Sequence, residues 1–157
     1  MKSWTEALRD GAVSGSVGSA LSTLVLSICG ERDADAPLAP TNAISHWVWG
    51  DRALAHEEAS ISHTLLGYAI HHGASTLWAV VYEKWFGEHA ENRAISRAVG
   101  GGFAVAALAC FVDYRLTPRR LHPGYEHHLS GRSLFLVYAS LGLALPVRGY
   151  LTADQDK

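Results

Sequence analysis

Two adjacent histidines, His71 and His72, stand in the middle of an apolar stretch, "GYAIHHGAS" at 67–75. Imidazole titrates near neutral pH, and it is also a ligand for zinc, copper, iron and nickel. A polar ring among apolar neighbours costs free energy unless it finds a hydrogen-bond partner or a ligand. The pair is therefore the first candidate for chemistry in a chain that holds nine histidines among 157 residues.

Three interpretations of this histidine pair are open from the sequence. In the first, both rings are neutral, hydrogen-bonded packing groups that fix the register of neighbouring helices. In the second, they belong to a metal or haem site. In the third, they relay protons or move a small solute, because a near-neutral pKa suits proton transfer. The side chains expected as hydrogen-bond partners are Tyr68, Ser75, Thr76 and Tyr138.

The metal interpretation draws on further histidines and one carboxylate. The chain lacks the HxxxH, HExxH and ExxH spacings that place ligands on one face of a helix. The closest groupings are "HEE" at 56–58, followed by His63, and "EHH" at 126–128. A transition metal or haem is the cofactor that such a set would hold. The predicted metal-binding residues are His71, His72, His63, His127, His128 and Glu58.

The elements that would position these side chains are four apolar runs. Residues 11–29 contain no charged residue, and a helix of this length covers about 29 Å, close to the hydrocarbon thickness of a bilayer. Residues 61–82 contain no Asp, Glu, Lys or Arg. The third run covers about 95–112 and the fourth about 133–147, where Pro146 weakens the last turn. We predict an all-α fold, a bundle of four transmembrane helices in a single domain over residues 1–157.

The segment between the first two runs has a different composition. "ERDADAPLAP" is acidic and proline-rich, which predicts a loop. Trp47 and Trp49 then predict a short helix at the membrane interface, or a segment that re-enters the membrane. A soluble bundle is the alternative, because the mean hydropathy of the chain is close to zero. Helices of a soluble bundle carry charges on one face, however, and the first, second and fourth runs carry none.

A four-span chain places its first and third loops on the same side of the membrane. Lys2 and Arg148 fall on the opposite side, with the other cations of the termini and the second loop. The histidines expected to share the side of the first and third loops are His46, His56, His63, His122, His127 and His128.

Small residues recur at four-residue spacing in the first run, as Gly11 and Gly15 and as Ser14, Gly18 and Ser22. This spacing allows the backbones of two helices to approach closely, either inside the bundle or at a homodimer face.

Several classes of function find no support in the sequence. A formal charge of −2 without a basic stripe argues against nucleic-acid binding. No nucleophile motif, P-loop or GxGxxG is present, so the sequence favours a protein that is not an enzyme without excluding one. Cys29 and Cys110 lie in apolar runs without a CxxC, which predicts buried free thiols. The expected partners are the lipid bilayer and either further copies of the chain or a larger membrane complex.

The segments "GAVSGSVGSA" and "APLAPTNAISHWVWG", followed by three apolar runs, resemble small bacterial inner-membrane proteins with four helices. The resemblance implies a multi-pass protein of the bacterial inner membrane. It carries no established activity, and no site residue is transferred from it.

The sequence therefore predicts a small multi-pass membrane protein with a histidine-based polar site that binds a metal or relays protons. The alternative is a non-catalytic accessory or assembly subunit that packs against a larger membrane complex.

Overall fold

The computed structural model describes residues 1–153, and every regular element in that range is helical, which confirms the all-α prediction. The longer elements are α1 (Trp4–Ala34), α2 (Ala39–Ile44), α3 (His46–Trp49), α4 (Leu66–Glu91), α5 (Ile95–Phe111), α6 (Gly131–Ala144) and α7 (Val147–Thr152). Short 3-10 helices cover Gly50–Ala55, Arg119–Leu121 and Tyr125–His127, and π-helical turns cover Ile61–Leu65 and Val112–Leu116.

Three stretches of helix are long and apolar enough to cross a membrane, judged by length and composition: Trp4–Ala34, Ile95–Leu116 and Gly131–Thr152. They contain the first, third and fourth predicted spans. The second predicted span, 61–82, falls mostly on α4, which is not among the three. His71 and His72 interrupt the apolar run of α4, and charged residues follow from Glu83 onward. The composition of the helices in the described residues therefore supports three membrane spans. The span at 61–82 stays a prediction.

The chain divides into two compact units. The first is formed by Met1–Leu21, His72–Ala109 and the chain from Tyr138 onward, and the second by Ser22–His71 and Cys110–Val137. Residues of α1, α4 and α6 contribute to both units.

The core of the first unit is an apolar cluster contributed by α4, α5, α6 and the turn after α6. The buried residues of this cluster are Ala79, Tyr82, Val105, Leu141 and Leu145. Close backbone contact holds α5 against α6, because a Cβ on Gly102 would overlap the carbonyl oxygen of Gly142. The turn between α6 and α7 contains Pro146, which lacks the N–H that would continue the helix.

In the first unit, α1 packs against α4 through two glycines spaced four residues apart. A Cβ on Gly11 would lie 2.6 Å from a methyl carbon of Val80, and one on Gly15 would lie 2.5 Å from the Cα of Thr76. A step of four residues forward on α1 matches a step of four residues back on α4, so the two helices are antiparallel here. The small residues of the first run therefore serve contact within this chain.

The second unit is built around α2, whose six residues are all buried. Asn42, fully buried, anchors the segment that follows. Its Nδ2 donates to the carbonyl oxygens of His56 and Glu58, both at 3.0 Å, and its Oδ1 accepts from Thr64 Oγ1 at 2.7 Å. Satisfying these groups removes the cost of burying the amide, and it fixes the approach to α4.

The end of α1 is fastened to the start of α6 in the second unit. Asp33 Oδ2 accepts hydrogen bonds from the backbone N–H of Ser130, at 2.9 Å, and from the hydroxyl of Ser133, to which Arg32 also donates. A carboxylate at the N-terminus of a helix is favourable, because it satisfies otherwise unpaired N–H groups and opposes the positive end of the helix dipole.

The segment predicted to lie at the interface forms two short helices with different surroundings. The first, α2, is wholly buried, whereas α3 exposes Val48 and Trp49. Cys29 and Cys110 are both free thiols, the first buried and the second half-buried.

Candidate functional site

The histidine pair of α4 contacts buried hydroxyl groups of α1. His72 Nδ1 lies 2.8 Å from the Oγ of Ser19 in the first unit, and His71 Nε2 lies 2.8 Å from the Oγ of Ser22 in the second. The two serines are almost completely buried, at 0% and 1% exposure, whereas the rings are half-buried. Each imidazole of the pair is therefore hydrogen-bonded to a serine that the helix contact shields.

A third serine of α1 repeats this arrangement with a carboxylate. Ser14, fully buried, donates from its Oγ to Glu83 Oε1 at 2.5 Å, and Glu83 is 1% exposed. Three buried hydroxyls of α1 thus each contact a titratable side chain of α4. Hydroxyl, imidazole and carboxylate groups all exchange protons, so the contact surface carries groups suited to proton transfer.

These partners were not foreseen in the sequence, where Tyr68, Ser75, Thr76 and Tyr138 were the expected candidates. Ser14 and Ser22 were recognised only as small residues at packing spacing, and Ser19 lay outside that pattern. The missing information was the pairing register of α1 and α4, which places position 19 opposite position 72.

The histidines of the first and third loops all lie in the second unit. The rings of His56 and His63 are stacked with centroids 3.9 Å apart, and His63 Nδ1 lies 3.1 Å from the hydroxyls of Ser60 and Ser62. His128 Nε2 donates to the carbonyl oxygen of Leu54 at 2.7 Å. The side chains of His127 and Glu58 are exposed.

The predicted metal-binding residues do not form one compact ligand group in the described part of the chain. Within residues 1–153, the His, Cys, Asp and Glu side chains form one group of three with all ligand atoms within 4.8 Å of one another, and it consists of Asp10, Glu83 and Glu91. None of the six residues predicted from the sequence belongs to that group. Their role as ligands stays a prediction.

The three carboxylates surround the ammonium group of Lys2 in the first unit. Lys2 Nζ donates to Asp10 at 2.9 Å, to Glu83 at 2.6 Å and to Glu91 at 2.6 Å, which uses all three of its N–H groups. The Lys2 side chain is 5% exposed. A tethered ammonium therefore takes the position that a bound cation would need.

Arg148 completes this ion cluster from α7. Its guanidinium lies 2.9 Å from an Asp10 carboxylate oxygen, 2.7 Å from Glu91 and 3.7 Å from Glu83. The exposed Arg9 adds a third cation, with Nε 2.9 Å from Asp10. Three cations thus balance three carboxylates, a condition for keeping so many charges away from water. We refer to Lys2, Asp10, Glu83, Glu91 and Arg148 as the ion cluster.

Two members of the ion cluster outside the three apolar stretches have shifted pKa values. Burial lowers the pKa of Lys2, but hydrogen bonds to Glu83, Glu91 and Asp10 outweigh it, so the net pKa is raised. Burial raises the pKa of Glu91, but hydrogen bonds from Lys2 and Arg148 outweigh it, so the net pKa is lowered. Both groups are held in their charged forms.

The ion cluster was missed in the sequence, although a signal for it existed. Sorting charges by side of the membrane placed Lys2 and Arg148 together. Asp10 directly precedes the first uncharged run, and Glu83 directly follows the second. Charges at the ends of two antiparallel spans lie at the same end of the helix pair. The sequence does not show, however, that these charges form ion pairs and are buried.

Comparison of this chain with protein-family models, with curated proteins and with solved structures gave no match.

Proposed function

We propose that this chain is a multi-pass protein of a bacterial inner membrane that relays protons through the serine, histidine and carboxylate groups at the contact of α1 with α4 in the first unit. The observation that carries the proposal is the pairing, within the first unit, of two buried serines of α1 with His72 and Glu83. Ser22 and His71 form a pair of the same kind within the second unit. Such polar groups are expensive within apolar helices, and when present they mark ion or proton pathways more often than elsewhere.

Membrane insertion is supported by the composition of three helical stretches and by the outer surface of α4. Three helices are long and apolar enough to cross a bilayer. The exposed positions of segment 61–82 are all uncharged: Ile61, Ser62, Leu65, Ala69, Gly73 and Leu77. The polar rings of α4 instead contact α1. This distribution suits a helix that faces lipid on one side, so we propose α4 with its preceding π-helical turn as the fourth span.

The chemistry of the pairs suits a relay better than a metal site. A neutral imidazole has one donor and one acceptor nitrogen, and a hydroxyl both donates and accepts, so the His72–Ser19 pair passes a proton by exchanging roles. A serine hydroxyl is a weak ligand beside the imidazole and thiolate groups that transition metals prefer. A relay of this kind also needs no open pore.

Glu83 connects the relay to the ion cluster in the first unit. One carboxylate oxygen accepts from Ser14, and the other accepts from Lys2. Glu83 therefore contacts the hydroxyl of Ser14 through one oxygen and fixed cations through the other. In this proposal it is the group that exchanges protons with Ser14, and Lys2 and Arg148 are the cations beside it.

The test is proton flux into vesicles that contain the purified protein. A potassium gradient with valinomycin sets a membrane potential, and a pH-sensitive dye trapped inside reports acidification. We expect faster acidification than in protein-free vesicles. The decisive variant is His72→Gln, because glutamine keeps hydrogen-bonding groups for Ser19 but does not titrate.

The matched control is His89→Gln, which changes a half-buried histidine near the end of α4 beyond the predicted span. The relay predicts that His72→Gln loses the flux while His89→Gln keeps it. Flux that persists in His72→Gln would show that the ring only packs. Absence of flux in the unmodified protein, together with a stoichiometric co-purified partner, would favour an accessory subunit.

A further inference from the structure

A cavity of about 450 Å³ lies within the second unit, lined by α3, by the 3-10 helix that follows it and by the loop between α5 and α6. Its volume falls in the range typical of small-molecule sites. Its charged and titratable lining residues are His46, Asp51, Arg119, Arg120, Glu126 and His127. Neither the serine–histidine pairs nor the ion cluster uses any of these residues.

Two arginines supply the positive part of this lining. Arg119 and Arg120 are consecutive residues of a 3-10 turn, and both side chains are exposed. Within residues 1–153 neither guanidinium forms an ion pair or a side-chain hydrogen bond, whereas Arg148 contacts three carboxylates. Guanidinium groups without protein partners bind phosphate oxygens well, because their planar donors match two oxygens at once.

The negative part of the lining consists of two carboxylates. Asp51 is exposed in the turn that begins at Gly50. Glu126 is half-buried and held in place, because Tyr114 donates to it at 3.4 Å and His122 Nδ1 lies 3.6 Å from its other oxygen. The cavity therefore offers acceptors for a cationic group beside donors for an anionic one.

A buried histidine adds a further acceptor. His46 is 5% exposed, and its Nδ1 donates to the carbonyl oxygen of Ala43 at 2.8 Å. Because Nδ1 is used by this hydrogen bond, Nε2 is the ring nitrogen left for a ligand. An ammonium group suits this side of the cavity better than a second anion does.

The cavity lies close in sequence to the ends of two apolar stretches. One stretch ends at Leu116, three residues before Arg119, and the next begins at Gly131. Nearby, α3 exposes Val48 and Trp49, and tryptophan is enriched at the depth of lipid headgroups. If these stretches span the membrane as proposed, the two arginines lie close to the level of lipid phosphates.

We propose that this cavity binds a phosphoethanolamine group, with its phosphate on Arg119 and Arg120 and its ammonium on Asp51, Glu126 and His46. The group has one negative and one positive end, which matches a lining that carries both signs. It is available as a lipid headgroup at the membrane surface or as a soluble phosphodiester without acyl chains. The proposal that the group comes from a lipid rests on the proposed membrane insertion. The match between the two charged ends of the group and the charges of the cavity does not depend on membrane insertion.

Binding is measured on delipidated, detergent-purified protein by titration with short-chain phosphatidylethanolamine, phosphatidylcholine and phosphatidylglycerol. Phosphatidylcholine keeps the phosphate but has no N–H donors, and phosphatidylglycerol keeps the phosphate but has no cation. We expect saturable binding of phosphatidylethanolamine that is at least about tenfold tighter than binding of either of the other two lipids. A tenfold difference in affinity is about what one charged hydrogen bond contributes. Glycerophosphoethanolamine, the headgroup without chains, forms the second arm.

The matched variants carry the same change of charge. Arg119→Gln with Arg120→Gln is expected to weaken phosphatidylethanolamine binding about tenfold or more, and Arg115→Gln with Arg132→Gln, exposed arginines outside the lining, to leave it unchanged. Asp51→Asn is expected to reduce the preference over phosphatidylcholine. Circular dichroism establishes that each variant is folded.

The two arms identify the source of the group. Binding of both ligands with similar affinity supports recognition of the headgroup alone, and binding of the lipid only supports a membrane source. Equal binding of the three lipids, absence of saturable binding in both arms, or equal loss in the two arginine pairs would overturn the proposal. Membrane insertion is tested separately by cysteine labelling of α4, so its failure is distinguishable from failure of this site.

Discussion

Ser19 and His72 face each other where α1 packs against α4, with Ser19 Oγ 2.8 Å from His72 Nδ1. The hydroxyl is completely buried, and it also donates to the backbone oxygen of Ser16 in its own helix. This hydrogen bond joins the imidazole of His72 to the apolar helix α1, and the proposed proton relay depends on it.

Removing the hydroxyl in Ser19→Ala should slow proton flux and destabilise the protein by about 1–3 kcal/mol, the cost of a buried polar group that loses a partner. Flux into vesicles and thermal unfolding in detergent measure the two effects. Ser16→Ala is the matched control, since Ser16 is exposed and bonds only the backbone of α1. If both variants behave alike, the Ser19–His72 bond is not part of the relay.

The ion cluster should make Arg148 one of the most sensitive positions in the chain. Arg148→Gln removes a cation that balances three carboxylates, and breaking a buried ion pair from one side costs about 3–5 kcal/mol. Arg97→Gln, at an exposed position of α5, should change stability by no more than about 0.5 kcal/mol. Thermal unfolding in the same detergent compares the two. Equal stability of the variants would mean that the cluster is exposed to water.

Stability should depend on pH at both ends of the scale. The pKa of Lys2 is raised above its ordinary value of 10.5, so its contribution is complete below that pH and is lost as pH rises through the folded-state pKa. The pKa of Glu91 is lowered from 4.5, so its contribution is complete above that pH and is lost as pH falls through the folded-state pKa. Unfolding temperatures should therefore be highest between about pH 4.5 and pH 10.5.

The variant Lys2→Gln isolates the alkaline part of this profile. It should lower the unfolding temperature at neutral pH and flatten the decrease above pH 10.5, because the group that titrates there is gone. An alkaline decrease of unchanged size in this variant would assign the effect to other groups.

The close approach of α1 to α4 predicts opposite outcomes for two glycines. Gly15→Ala would place a Cβ 2.5 Å from the Cα of Thr76, and overpacking of this kind costs about 1–3 kcal/mol. Gly73→Ala in α4 meets open space and should be neutral or stabilising by up to about 1 kcal/mol, because alanine favours helix. Thermal unfolding of the two variants measures these changes in stability. Equal changes in Gly15→Ala and Gly73→Ala would contradict the close packing of α1 against α4.

The approximate positions of the four long helices could be predicted from charge and apolar patterning, but their ends could not: "ERDADAPLAP", predicted as a loop, contains the end of α1 and the start of α2. The uncharged run 11–29 lies inside α1, and the run 95–112 contains all of α5. The uncharged run does not predict the start of α1 at Trp4, because Arg9 and Asp10 lie before the run. These charges are compatible with helix since Asp10 is paired inside the ion cluster.

The candidate site could be predicted only in part, because its contacts depend on how α1 and α4 pair. The sequence indicated that His71 and His72 need polar partners, and it sorted Lys2 and Arg148 to one side of the membrane. It did not indicate which hydroxyls face the rings. That choice is made by the close approach at Gly11 and Gly15, a property of two helices together.

The central claim is that α4 crosses the membrane with its rings turned towards α1, and cysteine labelling at Gly73 tests it most directly. In a background with Cys29→Ala and Cys110→Ala, Gly73→Cys places a thiol on the exposed face of α4, one residue after His72. Maleimides react with thiolates in water, so in intact membranes this thiol should resist labelling until detergent or denaturant is added, whereas His89→Cys should label at once. Labelling of Gly73→Cys in intact membranes as fast as His89→Cys would contradict the account.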